Sequence, residues 1–191
     1  MTGPQRRRRW TLLALFALVA GGGGAWSAYQ SRAAKNFAVV EPGVLVRSGR
    51  VKPDYLAELV RRHNIKTVFS FTFAGDAEER AACDALGVAR HFQYLAGDGV
   101  GPDEPYLRFL EIVADPANCP MLVHCSAGVQ RTGGATLLFR VLRQGWSWNQ
   151  AYAEMLAMGN DGNRPQREQL QALVARLRPL QVGAGREPPR R

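Results

Sequence analysis

The stretch MLVHCSAGVQRTGG, residues 121–134, sets a cysteine between a histidine and a run of small residues, and an arginine follows after five intervening positions. MLVHC is a short apolar run of strand character. Behind the loop, RTGGATLLFRVLRQG carries Leu138, Val141 and Leu142 at helical spacing. The loop is therefore a strand-to-helix junction, the place where open α/β sheets bind ligands. Small Ser126, Ala127 and Gly128 let the backbone curl so that its N–H groups point inward. With the N-terminal end of the next helix they form an anion cradle. Arg131 brings a planar fork that matches two oxygens of a tetrahedral phosphate. Cys125 then lies on the floor of an electropositive pocket, where thiol pKa values fall to roughly 3.5–7.5. A thiolate beneath a bound phosphoryl group is placed for in-line attack.

Working outward, strands alternate with helices. VVEPGVLVRSG holds short β-prone runs broken by Pro42 and Gly43, IKTVFSFTF and VARHFQYLA read as core strands, and PMLVHC as another buried one. Helices are expected over KPDYLAELVRRHN, with Pro53 in its first turn, over GDAEERAACDALG, closing at Gly87, and over DEPYLRFLEIVAD. Three more follow over the segment behind the loop, SWNQAYAEMLAMG and RPQREQLQALVARLR. The pattern predicts an α/β fold: a central, mostly parallel sheet of four to five strands flanked by helices.

The chain of 191 residues carries a net charge of +9, but residues 36–180 hold sixteen Lys and Arg against fifteen Asp and Glu. The excess sits in RRRR at 6–9, Arg32, Lys35 and the tail REPPRR, so no groove for nucleic acid is implied. The basic cluster precedes an apolar run, Leu12 to Ala20, then four glycines, Trp26 and Tyr29. Residues 1–35 thus read as a signal-anchor or a cleaved signal followed by a linker, with a cytosolic basic tail as the remaining option. In the first two cases the arginines stay inside and the domain lies outside the cytoplasm. Residues 36–180 form the domain, and 181–191 a disordered basic tail. Cys83, Cys119 and Cys125 are odd in number and fit neither a disulfide framework nor a zinc site. Were Cys125 oxidised to a sulfenic acid, Cys119 or Cys83 is a candidate resolving partner.

His124, Cys125, Gly128, Arg131 and Thr132 match the His-Cys-five-residues-Arg-Ser/Thr signature, and the chain resembles the cysteine-dependent protein tyrosine phosphatases. VRSG, IKTVFSF, YLAGDG and FLEIVADPANCPMLVHCSAG make it most similar to the compact bacterial dual-specificity type, over roughly residues 38–160. The resemblance implies Cys125 as nucleophile forming a phosphocysteine and Arg131 as binder of the phosphoryl oxygens. It implies substrate contacts from the N–H groups of Ser126, Ala127, Gly128, Val129, Gln130 and Arg131. His124 would orient the loop and lower the thiol pKa, and Thr132 would donate to the sulfur. Arg47 and Ser48 would line the pocket, unless they serve the surface. The family's Trp-Pro-Asp acid is missing. Asp98, between glycines just past a strand, is assigned as general acid; Asp103 is the second candidate, with helix N-cap as its preferred role. Asp76 either faces the site or caps a helix. Gln130 departs from the small residue that relatives often carry, but only its backbone is needed.

No metal and no cofactor is required by such chemistry. The expected activity is hydrolysis of phosphomonoesters, above all phosphotyrosine, phosphoserine or phosphothreonine in proteins, by a membrane-tethered or exported enzyme. The cradle has no lysine, which argues against polyphosphorylated inositols, although Arg47, Arg50 or Lys52 can supply charge. A phytase-like inositol-phosphate phosphatase and a silent phosphate-binding module stand as alternatives, with a redox protein behind them. Nothing in the sequence requires more than a monomer.

Overall fold

Five short strands form one sheet in the order β1-β2-β5-β3-β4: β1 Ala38–Glu41, β2 Leu45–Gly49, β3 Thr67–Ser70, β4 Ala89–Phe92 and β5 Met121–Cys125. The structure is a computed structural model and describes residues 34–182. The expected signal or anchor segment, and the tail beyond residue 182, lie outside the described residues. Among the described residues no helix is long and apolar enough to cross a membrane. β1 runs antiparallel to β2, and all other pairs are parallel. The expected sheet of four to five mostly parallel strands is thus what forms.

β5 is central and buried on both faces, which is why its sequence is a continuous apolar run rather than an alternating one. Met121, Val123 and Cys125 join one apolar cluster, while Leu122 joins the other. The first cluster is completed by α3 (Glu104–Ala114), α4 (Gln130–Arg143), α5 (Trp148–Ala157) and α6 (Arg164–Val182). The second is completed by α1 (Pro53–His63) and α2 (Asp76–Leu86). Because side chains alternate along a strand, His124 points to the α2 face and Cys125 to the α4 face.

Helix ends follow their local chemistry. Pro53 opens α1, Gly87 in the left-handed region closes α2, and Ser147 with Gln150 forms a capping box at α5.

Three expectations are corrected. IKTVFSFTF is a strand only to Ser70, whose hydroxyl accepts Thr72 N–H and donates to Thr72 O, turning the chain away toward the site. VARHFQYLA is not a core strand: β4 pairs only with β3, at the sheet edge, and its residues are half-buried or exposed. The last helix continues to Val182, two residues past the expected end of the domain at 180.

α4 is the most buried helix, with eleven of its fourteen residues inside. Its Gly134 faces Tyr106 of α3: a Cβ there would lie 2.5 Å from the Tyr106 hydroxyl. Gly134→Ala gains roughly 1 kcal/mol of helix propensity but overpacks the contact at a cost of about 1–3 kcal/mol. A net loss is expected, read as a lower urea midpoint at unchanged slope.

Candidate active site

The loop after β5 is shaped from outside. Ser126 O accepts Arg50 N–H at 3.1 Å, Ala127 O accepts the Asn36 side-chain amide at 2.9 Å, and Gly128 O accepts the buried Arg47 Nη2. Gly49 N–H is in turn held by Lys35 O at 2.6 Å. With three successive carbonyls drawn outward, the N–H groups turn inward, and Gly128 N–H reaches Cys125 Sγ at 3.3 Å. Gly128 has φ +72, and a Cβ there would meet Gly49 N at 2.4 Å, so the position takes only glycine.

Arg131, the second residue of α4, folds back over the loop. Its Nη1 donates to Phe71 O at 3.0 Å and Leu95 O at 3.3 Å, and Nη2 donates to Ser126 Oγ at 3.1 Å. Ser126 Oγ also meets Thr72 Oγ1 at 3.0 Å, so the segments after β3 and β4 both clasp the guanidinium.

Burial pushes the Cys125 thiol up, but this is outweighed, and the pKa falls below its ordinary value. The opposing causes are the Thr132 hydroxyl and N–H, the Arg131 charge and Gly128 N–H. The Thr132 hydroxyl is buried beside the loop and has no other hydrogen-bond partner among the described residues.

His124 is fully buried, with Nδ1 3.4 Å from Cys125 O and Nε2 2.7 Å from Glu79 Oε2. Glu79 also accepts Arg90 Nε at 2.8 Å, and Arg90 reaches Asp76 at 2.5 Å. Burial would raise the Glu79 carboxyl, but His124 and Arg90 hold it below its ordinary value. Glu79 and Arg90 were not singled out from the sequence. The available signal was an acidic residue four before Cys83 on the inward stripe of α2.

The remaining candidates separate. Asp98 is exposed on the loop between β4 and α3, its carboxylate accepting Val100 N–H at 3.0 Å. Asp103 stands at the N-cap position of α3 but makes no side-chain cap; its carboxylate takes Gln169 and Arg176 of α6 instead. Asp76 neither caps α2, whose N-cap is Gly75, nor enters the loop; it pairs with Arg80 and Arg90. Arg47 and Ser48 do not line the pocket: both are buried, Arg47 beneath the loop and Ser48 bonded to Gly49 O. Ser126 and Ala127 are exposed at the mouth, while Val129 and Gln130 are half-buried where α4 begins.

Neither spare cysteine fits as a resolving partner. Cys119 precedes the opposite end of β5, six residues away and about 20 Å at strand rise, whereas a disulfide needs Cα atoms within about 7 Å. Cys83 sits in the cluster on the other face of the sheet, and burial pushes its thiol up to about 11. A cleft of about 430 Å³ lined by Val39, Gly43, Leu45, His63 and Pro120 opens at the far end of the strands, away from Cys125. Among the described residues no cluster of three or more His, Cys, Asp or Glu could hold a metal ion.

The family model described as a DSP-PTPase phosphatase fused to NAD+ kinase matches residues 102–173, which include this loop. Among solved structures, TpbA of P. aeruginosa aligns with a TM-score of 0.64 at 26% identity, over 78% of this chain and 91% of that one. A Cys→Ser variant of TpbA in complex with phosphotyrosine aligns at 0.63 and 26% identity, over 77% and 90%. The catalytic core of Siw14 from S. cerevisiae, described as a PP-IP phosphatase, aligns at 0.66 and 22% identity, over 78% and 94%. No curated protein sequence matches the chain.

Glu79→Ala would leave Arg90 facing His124 in a buried site, and breaking such a pair costs about 3–5 kcal/mol. The Glu79 pKa is depressed in the folded state, so its contribution is present above the ordinary value of 4.5 and fades as pH falls through the folded value. Urea titrations from pH 7 downward should show the gap between wild type and variant narrowing below pH 4.5.

Proposed function

We propose that the chain is a cysteine-based phosphatase of the dual-specificity type, a reading supported by its family-model match and similar folds, and that it hydrolyses phosphomonoesters through a phosphocysteine at Cys125. The observation that carries this reading is the geometry of the loop: Gly128 N–H reaches Cys125 Sγ at 3.3 Å, and Arg131 folds back to Ser126 Oγ at 3.1 Å. In the first step the Cys125 thiolate attacks phosphorus, the ester P–O bond breaks, and the leaving oxygen takes a proton from Asp98. Arg131 and the loop N–H groups hold the equatorial oxygens as charge develops. In the second step water gives its proton to the Asp98 carboxylate and attacks the phosphocysteine. The P–S bond breaks, phosphate leaves, and Thr132 donates to the returning thiolate.

For the substrate we favour phosphorylated protein side chains, phosphotyrosine first. The loop has no lysine. Exposed Phe73 and Tyr94 stack at 5.0 Å on the segments whose carbonyls hold Arg131, an apolar surface that suits an aryl ring. TpbA, at 26% identity, has a variant crystallised with phosphotyrosine. Inositol phosphates are the second reading, favoured by exposed Arg50, whose N–H bonds the loop at Ser126 and whose side chain could take another phosphate. We further propose that the N-terminal segment tethers a monomeric enzyme to the membrane with the domain outside the cytoplasm, or is cleaved to release it there.

Full-length protein should hydrolyse p-nitrophenyl phosphate in the presence of EDTA, and Cys125→Ser should abolish turnover. Acid-quenched wild type should carry a phosphoryl mass on the peptide containing Cys125. Folded protein without turnover that still binds phosphotyrosine would point to a silent binding module instead. In intact cells, protease added outside (after outer-membrane permeabilisation where one exists) should digest the domain, and the membrane fraction should retain it unless the segment is cleaved.

A further inference from the structure

Asn163, Gln166 and Gln169 stand three residues apart at the start of α6 and face the loop that carries Asp98. Asn163 Nδ2 donates to Asp98 O at 3.2 Å, and Gln169 takes both sides of Gly101, Nε2 to its carbonyl at 2.7 Å and Oε1 from its N–H at 3.4 Å. Those three bonds are exposed. Gln166 differs, being 1% exposed, a buried amide whose every bond must come from the protein.

Its partners fix its orientation. Asn160 Oδ1 accepts Gly162 N–H at 2.8 Å, so Asn160 Nδ2 faces Gln166 Oε1, at 3.0 Å. Gln166 Nε2 then has two acceptors, Gln130 O at 2.9 Å and Tyr106 Oη at 3.1 Å. Tyr106 Oη donates onward to Gly99 O at 3.0 Å, which as a carbonyl can only accept. The path runs from the first residue of α4, through one amide and one phenol, to the residue after Asp98. Its geometry is tight: a Cβ on Gly99 would fall 2.1 Å from Gln166 Nε2.

We propose that Gln166 is a positioning residue for proton transfer, registering the Asp98 loop against the helix that begins the phosphate cradle. The proposal rests on Asp98 being the general acid. Tyr106 is the intermediate link, and burial pushes its phenol up, so it stays a donor throughout the working range. Loss of either link lets Asp98 drift relative to the leaving oxygen while Cys125, Arg131 and the cradle keep their own contacts. A good leaving group needs no proton and is indifferent to that drift; a poor one is not.

The test compares full-length wild type, Gln166→Leu, Tyr106→Phe and Asp98→Asn on p-nitrophenyl phosphate and on phenyl phosphate. General acid catalysis contributes about 10²–10⁴-fold, so Asp98→Asn should lose about that on phenyl phosphate and little on p-nitrophenyl phosphate. Gln166→Leu and Tyr106→Phe should show the same selectivity, with about tenfold loss or more on phenyl phosphate. Adding either change to Asp98→Asn should cost nothing further. Equal losses on both substrates, or none, would overturn the proposal while leaving the phosphatase and its acid intact. Should Asp98→Asn itself show no leaving-group dependence, the acid assignment falls and the proposal falls with it. If Gln166→Leu does not fold, Tyr106→Phe, which removes a single oxygen, decides alone.

Discussion

Three successive carbonyl oxygens, those of Ser126, Ala127 and Gly128, are each taken up by a donor from residues 36–50: Asn36, Arg47 and Arg50. A peptide whose oxygen is drawn outward must present its N–H inward, so these bonds turn the loop N–H groups inward before any ligand arrives. The thiolate benefits from the same orientation. Desolvation is the largest single influence on Cys125 and raises its pKa; Thr132, the Arg131 charge and Gly128 N–H together bring it below the ordinary value. The small residues permit the curl; the outward donors impose it.

The site also divides its charge between the two faces of β5. On the α4 face Arg47 lies under the loop, nearly fully buried and held by a carbonyl rather than a carboxylate; burial lowers its pKa despite the charges of Glu154 and Cys125. On the α2 face His124, Glu79, Arg90 and Asp76 form a chain that runs from the cysteine's neighbour out to the surface. Buried charges of this kind rarely add stability over apolar residues of the same shape. Their presence on both sides of one strand is understandable as the cost of holding a negative sulfur at its end.

How much of this was legible beforehand depended on the range of the interaction. The strand, loop and helix at 121–143 could be read because the signals are local: an apolar run, small residues, then helical spacing. Arg131 turning back on Ser126 follows from the same few residues. Glu79 was missed because its partners, Arg90 and His124, are eleven and forty-five positions away, and a helix rich in acidic residues gives no sign of which one turns inward. Asp103 was given to the helix start by local logic, yet tertiary donors on α6 claimed its carboxylate. β4 was taken as core because its residues favour strands, but whether a strand is central or peripheral is decided by topology, not by its own sequence.

The loop depends on Asn36, and Gly49 on the Lys35 carbonyl, so the residues just ahead of β1 are part of the scaffold of the site. A chain that begins at residue 34 keeps Lys35 and Asn36, the residues that make those bonds. A chain that begins three residues later lacks the outermost tie on Ala127 and frees the end of β2 that backs the loop. Any shortening of the chain from its start is thereby limited by the folded domain itself.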